Sequence, residues 1–388
     1  MKTARSRILV VDDDPAMLRT VERILTPAHE VRGLPTGEQA LQAIRKEPYD
    51  VAIVDIRMPG MDGFDLTRAI KEARPRTEVI LVTGSVTDLD EKLVRSVKER
   101  AGFFITKPFS RAVLTSLVER CLEMQRLEEE RDALIRRLTD DLDRARRYQQ
   151  ALLPKGLPRA FGPVRVASAY LPCDAVGGDL FDVVPLPEER LLLMVADVAG
   201  HGVAAALVTG MVKTALWRSL QDQPGLVPAA RAVLETLAPL GQQRVVTLFL
   251  AQIDGRGRTL HYLNAGHPPA LLWRQGAAPR LLTATTPLLS FGIGMDAEPA
   301  VTVPLAPGDR LALYSDGLYE VRDPAGAEFG RDRLLRALAA HGGSIEETIA
   351  AAMEAARRHS AGRPPDDDLT LLVAELREQE SRSGTRTG

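Results

Sequence analysis

The chain has 388 residues, long for a single domain, so two domains and a connector are the starting expectation. Its 45% hydrophobic and 26% charged residues are ordinary globular composition, and a net charge of −2 gives no electrostatic case for nucleic acid or an anionic membrane as the main partner. Two cysteines, Cys121 and Cys173, cannot make a disulfide framework and show no metal-ligand spacing, so both are expected as buried or half-buried thiols.

Met1 to Arg7 is basic but leads into an apolar run too short for a signal peptide. The most apolar helix-like stretch, Val203 to Leu216, contains Lys213 and is shorter than a membrane span. A cytoplasmic protein without a membrane partner is expected.

From residue 8 to about 120, short apolar runs alternate with amphipathic stretches. Ile8 to Val11, Val51 to Val54, Val79 to Val82 and Phe103 to Ile105 read as buried strands, and Pro15 suits the first turn of a helix. Continuous β-branched runs separated by helices predict a doubly wound α/β domain with a parallel sheet covered on both faces. Ligands of such sheets sit at the carboxyl ends of the strands. Asp12 and Asp13 end the first strand, Asp55 the second of these runs, Thr83 the next, and Lys107, followed by Pro108, the last.

Carboxylates packed at ~4 Å repel by about 1 kcal/mol in water and roughly 4 at an effective dielectric of 20, so this cluster calls for a divalent cation. Oxygen-only ligands suit Mg²⁺, which often bridges to a phosphoryl group. Asp55 is then the nucleophile that takes a phosphoryl group, with Lys107 and the Thr83 hydroxyl contacting its oxygens. Any one of these residues alone reads as a helix cap or a turn; the convergence of all five argues otherwise.

The segment closely resembles the response-regulator receiver family. The resemblance rests on Val11-Asp12-Asp13-Asp14-Pro15, Val54-Asp55 through Met58-Pro59-Gly60-Met61-Asp62-Gly63, Thr83-Gly84 and Thr106-Lys107-Pro108-Phe109. It implies Mg²⁺ held by Asp13, Asp55 and the Arg57 carbonyl, with Asp12 close by. It also implies a histidine kinase as phosphodonor and a switch in which Thr83 moves toward the phosphoryl group and an aromatic, here Phe104, follows.

Between Ser110 and Leu153 there is no Gly or Pro. Met124, Leu127, Leu134, Leu138, Ala145, Tyr148 and Leu152 fall on alternating three-four spacing, with Arg131 and Asp141 in the polar slots. This heptad-like seam predicts a long helix that ends at Pro154 and Pro158 and pairs as a dimeric coiled coil; the alternative is one amphipathic helix packed on a domain.

Beyond residue 164 the chain reads as a strand-rich α+β domain, a sandwich with flanking helices. Strands are expected at 190–198, 245–253, 259–263, 270–273, 310–314 and 369–376, with a hairpin turn at Gly255 to Arg258. Helices are expected at 204–220, 228–237, 331–340 and 345–358. Acids lie beside glycines or at strand ends: Asp179 and Asp182, Asp197, Asp316, and Asp366 to Asp368. Acids from neighbouring strand ends can hold two all-oxygen-ligated metals, which at about 3.5–4 Å apart activate water for displacement at phosphorus. Each Asp-Gly taken singly reads as a solvated turn.

These motifs resemble the metal-dependent PPM-type serine/threonine phosphatases, specifically the stage II sporulation protein E branch. Further matches are Leu152-Leu153-Pro154, Asn264-Ala265-Gly266-His267-Pro268-Pro269 and Gly308 to Glu320. The resemblance implies that Asp179, Asp197, the Val198 carbonyl, Asp316 and Asp367 bind two Mn²⁺ or Mg²⁺ ions, with Asp182, Asp368 and His201 as possible supporting residues. By the resemblance Asp197 bridges the two ions, and many such enzymes carry a histidine two residues after that aspartate, where this chain has Ala199. His267 is read as structural.

The expected organisation is a receiver at 1–122, a coiled-coil linker at 123–153, a PPM-type phosphatase domain at 154–377 and a disordered tail at 378–388. The expected activity is a phosphatase switched at Asp55, acting on a phosphorylated STAS-type anti-sigma-factor antagonist. The alternative is a non-catalytic adaptor that binds a sigma-factor regulator; the retained acids argue against it.

Overall fold

The structure is a computed structural model and describes residues 5–84, 102–200, 202–243, 245–290, 292–295, 300–340 and 342–378. His201 and the tail from residue 379 lie outside the described residues. The chain divides into two compact units, Met1–Leu138 and Thr139–Gly388.

In the first unit, β1 (Arg7–Val11) leads through Asp12 to α1 (Pro15–Leu25), whose N-terminus is capped by the Asp14 side chain. β2 (Glu30–Leu34), α2 (Gly37–Lys46), β3 (Val51–Asp55), α3 (Gly63–Ala73), β4 (Glu78–Thr83) and β5 (Phe103–Thr106) follow. All pairings are parallel and the order is β2-β1-β3-β4-β5. Alternation within β1 explains the double covering. Leu9 and Val11 pack with Ala40, Ile44, Phe64 and Ile70 on one face. Ile8 and Val10 pack with Val21, Leu25, Leu114 and Val118 on the other. Each such burial is worth about 1.5–3 kcal/mol, so apolar runs are required where both faces are covered.

α4 (Arg111–Leu152) is one unbroken helix of 42 residues. Its seam positions Leu127, Leu134, Leu138 and Tyr148 are exposed, Tyr148 to 76%. Gln149, next to Tyr148, is buried.

The second unit begins with β6 (Arg159–Phe161), β7 (Val164–Leu171), β8 (Asp179–Leu186) and β9 (Arg190–Val198). α5 (Val203–Asp222), α6 (Leu226–Leu237) and a 3₁₀ turn lead to β10 (Val245–Asp254), which the expected turn at 255–258 joins to β11 (Thr259–Ala265). Then come β12 (Ala270–Trp273), β13 (Arg280–Leu282), β14 (Leu289–Ser290), β15 (Val301–Pro304), β16 (Arg310–Tyr314), α7 (Gly317–Glu320), α8 (Arg331–Ala340), α9 (Ile345–His359) and β17 (Leu369–Leu376).

The strands form two antiparallel sheets, β15-β11-β10-β9-β8 with β14 on β10, and β13-β12-β16-β17-β7-β6. Phe181, Leu193, Phe249, Leu313 and Leu372 fill the space between them. The outer face of the first sheet packs on α5 and α6 through Met194, Val212 and Val233. That of the second packs on α8 and α9 through Val373, Leu338 and Ile349. The result is a four-layer helix–sheet–sheet–helix sandwich, as the α+β reading implied. Among the described residues no helix is long and apolar enough to cross a membrane.

The strands that escaped sequence reading have physical reasons to be quiet. β2 is an edge strand with half-exposed side chains. β8 carries two aspartates and Pro185, tolerated because β8 is also an edge.

Candidate functional site

In the first unit the parallel strands bring Asp12, Asp13 and Asp55 together, with carboxylate oxygens all within 4.8 Å of one another. Asp12 and Asp55 are buried and Asp13 is exposed. Lys107 reaches in from the end of β5, its Nζ donating to Asp12 Oδ2 at 2.6 Å and to Asp55 Oδ2 at 3.0 Å. Burial opposes the Lys107 charge, but its two carboxylate partners outweigh it and raise the pKa. Burial raises Asp12 despite the pull of Lys107. Thr83 is buried at the end of β4, where its carbonyl accepts from the Lys107 N–H at 2.6 Å. Arg57 is exposed just beyond β3, and Phe104 is half-buried on β5. The arrangement presents acidic oxygens and a positioned ammonium on one sheet edge, suited to a hard divalent cation and a phosphoryl group.

In the second unit the acids gather at one end of the sandwich. Asp179 opens β8 and Asp197 lies near the end of β9, and the two are direct partners in the antiparallel register. Both fall on the inter-sheet face, in step with Phe181 and Val195. The facing sheet supplies Asp316, just after β16, and Asp367, just before β17. The Ser315 hydroxyl accepts from Thr370 N at 3.0 Å and donates to the Asp368 carbonyl at 3.1 Å, which ties these two segments together. Thr370 Oγ1 donates across the sheets to Asp179 Oδ2.

Burial and the charge of Asp197 push Asp179 well above the carboxylate range, against the hydroxyls of Ser315 and Thr370. Burial and the charges of Asp316, Asp367, Asp368 and Glu320 push Asp197 up to about 7. Crowding that raises Asp179 and Asp197 in this way suits an oxygen-donor site for a divalent cation. Cys173, which no sequence spacing singled out, has its sulfur within 4.8 Å of carboxylate oxygens of Asp367 and Asp368. Burial and Asp368 push its thiol up to about 12.

The remaining acids play separate parts. Asp368 is buried, and its carboxylate accepts from the backbone N–H of Cys173 at 2.9 Å and of Asp179 at 3.0 Å. A Cβ on Gly177 would lie 1.9 Å from Asp368 Oδ2, so only glycine lets the carboxylate reach Asp179. At Gly317 a Cβ would lie 2.2 Å from the Asp368 carbonyl. Asp182 does not join the group. Three residues along β8 from Asp179, it faces α5 and pairs with Lys213 at 3.1 Å and Trp217 Nε1 at 3.2 Å. His267 is buried, held by the Asn264 amide and the Thr247 hydroxyl.

Comparison with known proteins accords with both halves. The stage II sporulation protein E (SpoIIE) family matches residues 187–377, and the response regulator receiver domain matches residues 8–119. The chain joins a response-regulator receiver domain to a SpoIIE-type PPM phosphatase domain.

The chain is 26% identical over 238 residues to phosphoserine phosphatase RsbP of Bacillus subtilis, covering 60% of this chain and 57% of that protein. It is 26% identical over 264 residues to protein IcfG of Synechocystis sp., covering 60% of this chain and 41% of that protein. It thus spans only about half the length of these relatives. The fold of the SpoIIE-type domain is shared with the SiaA-PP2C domain of Pseudomonas aeruginosa, at a TM-score of 0.56 and 24% identity, covering 63% of this chain and 98% of that one. The carboxylate cluster of the receiver domain sits at its strand ends, and that of the SpoIIE-type domain at the mouth between its sheets.

Proposed function

We propose that the protein is a two-component response regulator whose output is a metal-dependent serine/threonine phosphatase. A histidine kinase would donate the phosphoryl group: the P–N bond of its phosphohistidine breaks and an O–P bond forms on Asp55. Asp13, Asp55 and the Arg57 carbonyl would hold Mg²⁺, with Asp12 beside them. Lys107 and Thr83 would meet the phosphoryl oxygens, and Phe104 would report the change.

In the phosphatase domain, Asp179, Asp197, the Val198 carbonyl, Asp316 and Asp367 would hold two Mn²⁺ or Mg²⁺ ions. Such ions, when bound, acidify water and balance charge on phosphoryl oxygens. The chain's own groups orient the site: Thr370 fixes one oxygen of Asp179, and Asp368 fixes its backbone. The observation that carries the reading is the convergence of Asp179, Asp197, Asp316 and Asp367 on one end of the sandwich.

The substrate would be a phosphorylated STAS-type anti-sigma-factor antagonist; the name of RsbP, a phosphoserine phosphatase, supports phosphoserine. The exposed seam of α4 would pair two copies as a homodimer, with 123–153 as linker and 154–377 as catalytic domain. The deciding experiment is a Mn²⁺-dependent assay on phosphorylated antagonists, comparing wild type, Asp55→Ala and Asp197→Ala. Full activity in Asp197→Ala ends the catalytic reading. Binding of a partner without any metal binding in calorimetry favours the non-catalytic adaptor.

A further inference from the structure

The last turn of α4 enters the phosphatase domain at one buried polar residue. Gln149 is 7% exposed on a helix whose neighbouring positions face solvent. Its side-chain amide pairs with both backbone groups of Gly177. Nε2 donates to the Gly177 carbonyl at 2.7 Å, and Oε1 accepts from the Gly177 N–H at 3.0 Å. Only one orientation of the amide satisfies both, so the side chain is fixed. Nε2 also contacts Thr209 Oγ1 at 3.4 Å, and that hydroxyl donates to the Ala206 carbonyl. The side chain replaces a neighbouring strand for the one residue it meets.

Gly177 is not an arbitrary anchor. Its Cα lies against the Asp368 carboxylate, and that carboxylate accepts from Asp179 N. One continuous set of contacts therefore runs from Gln149 through Gly177 and Asp368 to Asp179. A second contact flanks it. Lys213 of α5 donates to the Leu152 carbonyl in the last turn of α4 and pairs with Asp182 on β8. Asp179 lies between Gly177 and Asp182, the two places where the end of α4 holds this stretch, directly at the first and through Lys213 at the second.

We propose that Gln149 is a positioning residue for the metal site: its amide clamps Gly177 and thereby sets Asp179, so that the last turn of α4 controls metal affinity. The inference rests on reading Asp179 as a metal ligand. Residues that orient metal ligands typically change affinity 10–100-fold when lost. A clamp that serves folding alone lowers thermal stability and leaves metal affinity as it was.

The experiment is calorimetric titration of the full chain with MnCl₂, beside thermal melting and phosphatase kinetics. Gln149→Met keeps the length and removes both hydrogen bonds; Gln149→Asn keeps the amide but is one methylene too short. Gln150→Ala, at the exposed neighbour, is the control. We expect the Mn²⁺ Kd in the phosphatase domain to rise about 10-fold in both Gln149 variants, with turnover recovering at saturating Mn²⁺ and Gln150→Ala unchanged. If one variant does not fold, the other decides. An unchanged Kd in a folded variant overturns the inference, as does loss of folding in both. A wild-type chain whose Mn²⁺ binding is untouched by Asp179→Ala overturns the ligand reading itself, and the inference with it.

Discussion

Asp179 and Asp197 stand directly opposite each other on antiparallel strands β8 and β9. Like charges at such a position destabilise a sheet by up to about 1 kcal/mol, and here Asp179 is buried and Asp197 half-buried. The SpoIIE-type domain of Asp197→Asn should therefore be more stable than that of wild type in EDTA, by about 1 kcal/mol, and gain nothing from Mn²⁺. Wild type should gain about 2.7 kcal/mol when Mn²⁺ stands at 100 times its Kd. Paired melting curves with and without metal check both parts. A metal-free Asp197→Asn protein less stable than wild type contradicts the account.

Lys107 is the cation that Asp12 and Asp55 share. Lys107→Ala leaves two buried carboxylates facing each other, at a cost of about 2 kcal/mol in Mg²⁺-free buffer. Millimolar Mg²⁺ should restore part of that loss, and phosphorylation at Asp55 by a small phosphodonor should slow. Urea melts of wild type and variant, with and without Mg²⁺, measure it.

Gly177 has no room for a methyl group beside Asp368. Gly177→Ala should cost about 1–3 kcal/mol and lower Mn²⁺ affinity, because Asp368 must leave Asp179 N. An alanine variant with wild-type stability and wild-type metal binding refutes the tight packing.

Burial pushes His267 down to about 3, so it stays neutral in the fold, whereas in the unfolded chain it takes a proton near 6.5. Between these values the unfolded state binds more protons, so the contribution is full above about 6.5 and is lost as pH falls toward 3, with a limiting slope of about 1.4 kcal/mol per pH unit. His267→Gln should flatten that part of the stability profile. An equally steep profile in the variant would falsify the assignment.

If the α4 seam pairs two copies, Leu134→Glu and Leu138→Glu together should shift the chain to monomer in sedimentation. Both side chains are exposed, so the substitutions should leave the melting temperature of each unit within about 0.5 kcal/mol of stability.

The α/β domain was legible because its strands β1, β3 and β4 are apolar on both faces and end in acids or Thr83. β2 was not, since exposed Glu30 and Arg32 alternate with half-buried Val31 and Gly33 and leave no apolar run. In the second domain the acids 179, 197, 316 and 367 stood out beside glycines and strand ends. Asp182 looked like their neighbour only because β8 went unrecognised; in a strand, positions three apart face opposite ways. Gln149 left no mark at all. Its partners are the backbone groups of Gly177, which no side-chain pattern encodes.

The acids of the second domain come from both sheets, Asp179 and Asp197 from one, Asp316 and Asp367 from the other. The sandwich therefore acts as a caliper, and the side chains between the sheets set its jaw. Phe249 stacked on Tyr262, with centroids 5.6 Å apart, belongs to that spacer. Trimming or enlarging such a residue changes the gap that an ion must span. On the proposed reading of these acids as ligands, ion-size selectivity, Mn²⁺ against the smaller Mg²⁺, would become a property of hydrophobic packing remote from any ligand, and a drift in metal preference a readout of the core.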